Sequence, residues 1–413
     1  MKKMLSLVSI LMAANLASAA LPSATVTAVS VNAETGFTII DYTLAGGPSI
    51  VTCDVLTNGV PVARRALRSM AGDVNRLVTN LTGRIYWQPR AENGAIDAAA
   101  GKMTVRVTTH RKGFPPDYLV VDLKNAARRY YYETEDELPY GIDHPRYRMN
   151  FMVFRKIPAS GATFAMGSSA SEPGRTAGNE MLHSVSFTND FYLAVFELTC
   201  GQVEAVKRAI TYDDGFFNPA VKISYEGDWR GWRDHGYRWP QNGHDVDMSN
   251  KLLYKLRDAT GGLLLDFPTE AQWEFAARAG STTALPDGLD QEPDLSQTDN
   301  VCTNTGKYAW YSGNAAAVRE VGLKKPNVWG LYDVLGNVWE ACLDVWSDDN
   351  TGFGFVEPPG LETDARTSFV VRGGAFSVGA RGCRLASRDS IKYSAASGVT
   401  DYGIRLWCQL PED

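Results

Sequence analysis

Short runs of alternating hydrophobic and polar residues fill the first third of the chain, which is the pattern of half-buried β-strands. Turn-forming residues separate these runs, and Asn58-Gly59 between two of them is the signal for a tight hairpin. Seven or so strands at this spacing predict a small all-β sandwich of immunoglobulin or fibronectin type over residues 20–123. The predicted strands cover residues 25–31, 37–44, 50–57, 60–63, 85–87, 103–109 and 118–123.

The pattern changes after residue 123. Residues 124–148 mix both charges with consecutive tyrosines, prolines and a glycine, a composition that predicts a linker. A second domain is therefore expected over residues 149–413. The sandwich is interpreted either as an accessory spacer or adhesion module, or as a passive folding unit.

Three short helices are predicted in the second domain. Thr199 and Thr269 are each followed three residues later by glutamine, which forms a capping box at a helix start. Between them, residues 250–260 place leucines on one face and end at Gly261. The remainder shows only short strand patterns and many turns, so the domain is predicted to be loop-rich and α+β.

An irregular stretch, residues 212–247, contains Trp229, Trp232 and Trp239 among glycines, histidines and acids. Tryptophans in such a setting are typical of a ligand platform or of an irregular core. Both interpretations remain open at this point.

The composition agrees with two ordinary globular domains, because the 413 residues exceed one usual core, with 44% hydrophobic and 21% charged residues. The formal net charge is −6 and no dense Lys/Arg run is present, which argues against nucleic-acid binding.

The first 19 residues predict a secretory signal peptide. Lys2 and Lys3 precede an apolar run over residues 4–14, and Ala17-Ser18-Ala19 is a cleavage site. No later stretch approaches the roughly 20 apolar residues that a membrane span needs. The protein is therefore expected to be periplasmic or secreted, without a membrane span.

Cysteine and histidine spacing predicts no zinc site, since there is no CxxC pair and the five histidines are isolated. An oxidising compartment permits disulfides, but the pairing is not readable from the sequence. The six cysteines are Cys53, Cys200, Cys302, Cys342, Cys383 and Cys408.

The most distinctive stretch is NVWGLYDVLGNVWE, residues 327–340. Gly336-Asn337 indicates a sharp bend that brings Asp333 and Glu340 towards one another, with backbone carbonyls between them. Two carboxylates with carbonyl oxygens are suitable ligands for calcium. The alternative is a buried turn held by aromatic packing, in which the acids pair with arginines.

This stretch resembles the GLYD-x-x-GNVWEW signature of the formylglycine-generating enzyme, or sulfatase-modifying factor, family. Four other segments resemble that family's motifs in the same order over about 260 residues. They are FELTCGQVEAVKRA, FPTEAQWEFAARAG, VVRGGAFSVGARGCRLASRDS and YGIRL. The resemblance implies an α+β, loop-rich fold related to C-type lectins.

Calcium binding is also implied by the resemblance. The ligands carried over from the family's motif are the side chains of Asp333 and Glu340 and the carbonyls of Gly336 and Val338. Arginines near the C-terminus of this family pair with acids of the GNVWE segment, which implies the same for several of the arginines here.

The family's oxidases convert a cysteine of a sulfatase to formylglycine with molecular oxygen, using Cu(I) between two thiolates. Soft Cu(I) needs both sulfurs. In this chain Val378 stands where the first cysteine is expected, and Cys383 matches the second by count. Copper binding through Cys383 would need a second thiol from elsewhere, such as Cys342 or Cys408. Otherwise Cys383 is a structural thiol or a disulfide partner.

Three functions are compatible with these residues. The first is a non-catalytic or divergent module that binds a peptide or glycan in the family's groove. The second is a formylglycine-generating oxidase of exported sulfatases that uses Cys383 and an unidentified partner. The third is another oxidoreductase chemistry on the same scaffold. The missing cysteine favours the binding module.

Overall fold

The computed structural model describes residues 21–88, 103–125, 128–206, 215–221, 251–288, 302–348, 368–392 and 400–411. The predicted signal peptide and the three tryptophans of the irregular stretch lie outside these residues. Within them, no helix is both long enough and apolar enough to cross a membrane.

The first domain is a sandwich of two small sheets, as predicted. One sheet has the strand order β1-β2-β7-β5, and in the other β3 pairs with β4, β6 and β8. The strands are β1 (Ser23–Val31), β2 (Thr38–Ala45), β3 (Ser49–Thr57), β4 (Val60–Pro61), β5 (Ala71–Gly72), β6 (Arg76–Val78), β7 (Thr82–Trp87) and β8 (Met103–His110).

Alternation along the strands builds the core of this sandwich. In β2, Ile40, Tyr42 and Leu44 face inward while their neighbours are more exposed, because successive side chains of a strand point to opposite faces. They pack with Val51 and Cys53 of β3.

The hairpin predicted at Asn58-Gly59 is confirmed. Thr57 pairs with Val60 across the turn, and Asn58 and Gly59 have φ values of 52° and 79°. Two consecutive left-handed residues match the twist of the flanking strands.

The second domain contains a six-stranded sheet of order β10-β9-β11-β14-β22-β15 and a four-stranded sheet of order β20-β19-β18-β21. Two two-stranded pairs, β12-β13 and β16-β17, complete it. The strands are β9 (Tyr118–Asp122), β10 (Arg129–Tyr132), β11 (Phe151–Ile157), β12 (Thr163–Met166), β13 (His183–Ser186), β14 (Phe191–Ala194), β15 (Leu265–Asp266), β16 (Ala309–Trp310), β17 (Leu335–Gly336), β18 (Trp339–Val345), β19 (Ser368–Arg372), β20 (Arg388–Lys392), β21 (Tyr402–Gly403) and β22 (Trp407–Gln409).

The boundary between the domains differs from the prediction. β9, which was assigned to the sandwich, pairs with β11 in the six-stranded sheet, and β10 in the expected linker pairs with β9. The expected linker also holds two 3-10 helices, Glu135–Glu137 and Pro145–Arg148. Every residue of β9 is buried, and a short apolar run of this kind does not reveal which sheet it joins.

Four α-helices are present among the described residues, and the three predicted ones are confirmed. They are α1 (Cys200–Val206), α2 (Leu252–Ala259), α3 (Glu270–Arg278) and the single turn α4 (Thr305–Tyr308). Both predicted capping boxes form, with the Thr199 and Thr269 hydroxyls accepting from the backbone N–H of Gln202 and Gln272. The fold is therefore a loop-rich α+β domain preceded by a small all-β sandwich, as expected.

Candidate functional site

The signature stretch folds as a tight double bend against β16. Asp333, Gly336 and Asn337 adopt φ values of 52°, 74° and 58°, so the chain reverses within a few residues. β17 pairs in parallel with β16, and a Cβ added to Gly336 would lie 2.2 Å from the Trp310 carbonyl oxygen. Only glycine fits at this crossing.

A fully buried arginine, Arg405, holds this bend from the inside. Its guanidinium lies 2.6 Å from Glu340 and also donates to the carbonyls of Ala194, Val195 and Tyr332. The Nε1 of Trp273 donates to the other oxygen of Glu340 at 2.6 Å. The prediction that an arginine pairs with an acid of the GNVWE segment is confirmed by this contact.

A buried acid that the sequence analysis missed, Glu197, lies on the other side of the bend. Its oxygens accept from Asn337 Nδ2 at 2.6 Å and from the Val338 N–H at 3.2 Å. Burial raises its pKa well above the usual value, and the neighbouring carboxylates of Asp333 and Glu340 raise it further. The only signal in the sequence was an acid between the apolar residues Phe196 and Leu198.

Asp333 carries an oxygen without a protein partner. Its Oδ2 accepts from the Gly322 N–H at 2.5 Å, whereas its buried Oδ1 has no hydrogen-bond partner in the part of the chain that is described. Burial raises the pKa of this carboxyl to about 6, although the Gly322 N–H and Arg405 oppose the rise.

The predicted calcium ligands fit this arrangement in part. The free Oδ1 of Asp333 is the kind of hard oxygen that calcium binds. Glu340 does not fit, because both its oxygens are already occupied by Arg405 and Trp273. Among the described residues, no group of three or more His, Cys, Asp or Glu side chains is arranged to hold a metal ion.

The predicted catalytic residue, Cys383, is fully buried beneath the Gly373-Gly374 turn. Burial raises the pKa of its thiol to about 12, and the nearby Cys302 thiol adds to the rise. Cys302 and Cys342 are buried in the same hydrophobic cluster, whereas Cys408 belongs to another. None of the six cysteines forms a disulfide in this structure.

The residues at the expected copper position do not fit Cu(I). Val378 supplies no sulfur, and Cys383 is a neutral thiol at physiological pH without exposed surface. Because Cu(I) needs two sulfur ligands, a pair with one enclosed sulfur does not hold the ion by itself.

A groove of about 600 Å³ opens beside the glycine-rich turn that begins at Gly373-Gly374. Its polar wall contains Asn314 and Arg319, and Phe376 and Ser377 of the glycine-rich turn form the other wall. Ser377 hydrogen bonds to Asp401, which joins the turn to the segment before β21. The groove therefore combines an aromatic ring with a cation and amide and hydroxyl groups.

Three other C-terminal arginines form buried ion pairs. Arg372 pairs with Glu274, Arg388 with Glu270, and Arg384 with Glu172 and Glu180. These pairs are buried and connect the polar loop before β13 and helix α3 to the last third of the chain. Their charges are satisfied within the protein.

Comparison with known proteins identifies the family of the second domain. The family model of the sulfatase-modifying factor enzyme 1-like domain matches residues 149–410. The chain belongs to this family. The resemblance drawn from the five motifs is confirmed.

Curated relatives of this sulfatase-modifying factor protein match over part of its length. A formylglycine-generating enzyme of Thermomonospora curvata is 38% identical over 120 residues, which are 26% of this chain and 37% of that protein. One of Mycobacterium tuberculosis is 30% identical over 127 residues, 27% of this chain and 42% of that protein. The matches therefore span less than half of these relatives.

Two solved structures are similar to the chain in fold. Treponema denticola variable protein 1 is 22% identical, with 63% of this chain and 95% of that chain covered and a TM-score of 0.47. PvdO from Pseudomonas aeruginosa is 24% identical, with coverage of 62% and 94% and a TM-score of 0.47.

The crossing at Gly336 can be tested against a matched glycine. Gly161 has nearly the same φ, 75° against 74°, but a Cβ there meets no atom within 4 Å. We expect Gly336→Ala to lower the free energy of unfolding by about 1–3 kcal/mol more than Gly161→Ala, because only the first creates an overlap with backbone. Urea unfolding of both variants measures this, and equal losses would contradict the proposed close contact.

Proposed function

We propose that this chain is an exported, non-catalytic member of the sulfatase-modifying factor family that binds a peptide or glycan in the groove beside residues 373–378. The observation that carries the proposal is the pair of residues at the copper position. Val378 has replaced one sulfur, and Cys383 is buried as a neutral thiol.

The chemistry of the oxidases explains why this pair matters. A thiol becomes a ligand or nucleophile when it ionises, and reactive cysteines are accessible and have lowered pKa values. Cys383 has the opposite properties, since it is enclosed and its pKa is raised. One position of the pair has no sulfur, and the other holds an enclosed thiol with a raised pKa. This combination favours a binding function over an oxidase function.

The groove supports the binding function. Arg319 supplies a cation, while Phe376 offers a ring against which a peptide side chain or a sugar face packs. In the family's oxidases, catalysis takes place beside the same glycine-rich turn. The groove of this chain would therefore keep a recognition surface after the loss of copper. An exported sulfatase or another peptide or glycan is the partner we propose.

The alternative is a formylglycine-generating oxidase that uses Cys383 with another thiol. Cys302 and Cys342 are the candidates, because they share its hydrophobic cluster. Both are as deeply buried as Cys383, so oxygen and a substrate cysteine would reach them only after rearrangement. No described residue supports the third function, a different oxidoreductase chemistry.

We also propose a calcium ion on the Asp333 side of the bend, held by that side chain and the carbonyls of Gly336 and Val338. The free Oδ1 of Asp333 supports it. Around the bend, the buried carboxyl groups of Glu197, Asp333 and Glu340 also outnumber the guanidinium group of Arg405. Glu340 then acts by fixing Arg405 rather than as a ligand.

Copper titration tests the main proposal. We expect the fully reduced protein to take up no Cu(I) in anaerobic competition with bathocuproine disulfonate, because no thiolate pair is available. Cys383→Ala should leave this result unchanged, as should Cys53→Ala, which removes a buried thiol of the sandwich. Uptake of one Cu(I) per chain that disappears only in Cys383→Ala would restore the oxidase.

Chelation tests the calcium proposal separately. We expect EGTA to lower the melting temperature of the protein as isolated by about 3–8 °C, because an ion bound only to the folded state stabilises it. Asp333→Ala should melt lower and no longer respond to EGTA, whereas Asp41→Ala, a change in the sandwich, should respond fully. A melt of the unaltered protein that ignores EGTA would exclude the ion.

A further inference from the structure

A second cleft lies where the sandwich meets the six-stranded sheet, and its volume is about 640 Å³. β6 of the sandwich contributes Arg76 and Leu77, and the start of β10 with the residue before it contributes Arg128 to Tyr131. Gly261, just after helix α2, closes one end. Neither domain alone would form it.

The walls of this cleft are fixed by hydrogen bonds between the domains. The Tyr131 N–H donates to the Asn75 carbonyl at 2.7 Å, which joins β10 to the residue before β6. Arg129 donates to the carbonyls of Thr260 and Gly261 and so attaches β10 to the end of α2. A ligand would therefore meet a preformed surface rather than two loosely joined domains.

The cleft carries an excess of positive charge in a protein whose formal net charge is −6. Three arginines line it, Arg76, Arg128 and Arg129. Among the described residues, Asp73 is the one carboxylate that pairs with any of them, and its partner is Arg76. Arg129 binds only neutral carbonyls, so its charge is not balanced by an acid. The Arg128 side chain is exposed, and its guanidinium has no hydrogen-bond or ion-pair partner among the described residues, whereas its backbone bonds to Asn125 and Asp122.

The roles of the three arginines can be separated. Arg129 satisfies carbonyls at the C-terminal end of α2, a structural task that explains its presence. Arg128 has no such task, and the side chain of Arg76 is 49% exposed despite its ion pair. These two side chains are left to bind a ligand, and the planar guanidinium group matches a carboxylate, sulfate or phosphate.

Apolar surface lies beside these charges. Leu77 is 37% exposed, and Tyr130 is half-buried in the wall of the cleft. A free inorganic anion would use the arginines alone, whereas an anionic group on a ring would also cover the leucine and the tyrosine. The combination favours a small organic anion.

We propose that this interdomain cleft binds a small ring-bearing anion, with its carboxylate, sulfate or phosphate group between Arg76 and Arg128 and its ring against Leu77 and Tyr130. The site would give the sandwich a function beyond that of a spacer, since it supplies one wall. It is independent of the groove beside residues 373–378 and of whether that groove binds or oxidises its ligand.

Isothermal titration calorimetry at low ionic strength tests the site with four probes on one ring: glucose 6-phosphate, glucose 6-sulfate, glucuronate and neutral glucose. We expect at least one of the anions to bind one per chain and glucose not to bind. The strongest anion identifies the preferred group. Arg128→Gln should weaken that binding about tenfold, because a charge-assisted hydrogen bond is lost.

Lys124→Gln is the matched control, because it removes one exposed positive charge from the same turn between β9 and β10 without lining the cleft. It should change the affinity less than twofold. A third variant, Leu77→Ala, should weaken the ring-bearing anions and leave inorganic sulfate or phosphate unaffected. Absence of binding by every anion, binding of glucose as well, or equal losses in Arg128→Gln and Lys124→Gln would each overturn the proposal, the last by showing only solvated surface charge.

Discussion

The ion pair between Arg405 and Glu340 is the contact on which the second domain depends. Every N–H of the guanidinium has an acceptor, and the acceptors come from β14 and the residue after it and from the signature bend. Long loops lack the hydrogen-bond ladder that fixes sheets, so a buried charge that must be satisfied by several carbonyls at once defines their relative positions. Removal of either partner would leave the other charged and buried, which costs several kcal/mol in most proteins.

Buried pairs of the same kind recur through the domain. Arg372, Arg384 and Arg388 form buried pairs with acids from distant parts of the chain, and none of these contacts involves the copper position. The glycine-rich turn is held by its backbone, as in the bond from the Phe376 N–H to the Asn337 carbonyl. A valine at position 378 and an enclosed Cys383 therefore leave the fold intact. What remains beside the turn is a groove with polar and aromatic walls.

Local signals predicted local structure well, whereas contacts between distant segments were not readable. The hairpin at Asn58-Gly59, both capping boxes and the bend at Gly336 each follow from two to four neighbouring residues, and the structure has all of them. Assignment of β9 to the sandwich was wrong because a fully buried apolar strand carries no information about its sheet. Glu197 was missed for a related reason: its importance comes from Asn337 and Arg405, which are more than a hundred residues away in the sequence.

A double-mutant cycle on Arg405 and Glu340 tests this view most directly. Arg405→Met, Glu340→Met and the double variant would be unfolded in urea under identical conditions. We predict that each single change lowers the free energy of unfolding by about 3–5 kcal/mol and that the double variant loses clearly less than the sum, because neither member of the pair is then left buried without the other. Additive losses, or single variants as stable as the parent, would contradict a domain organised around this buried pair.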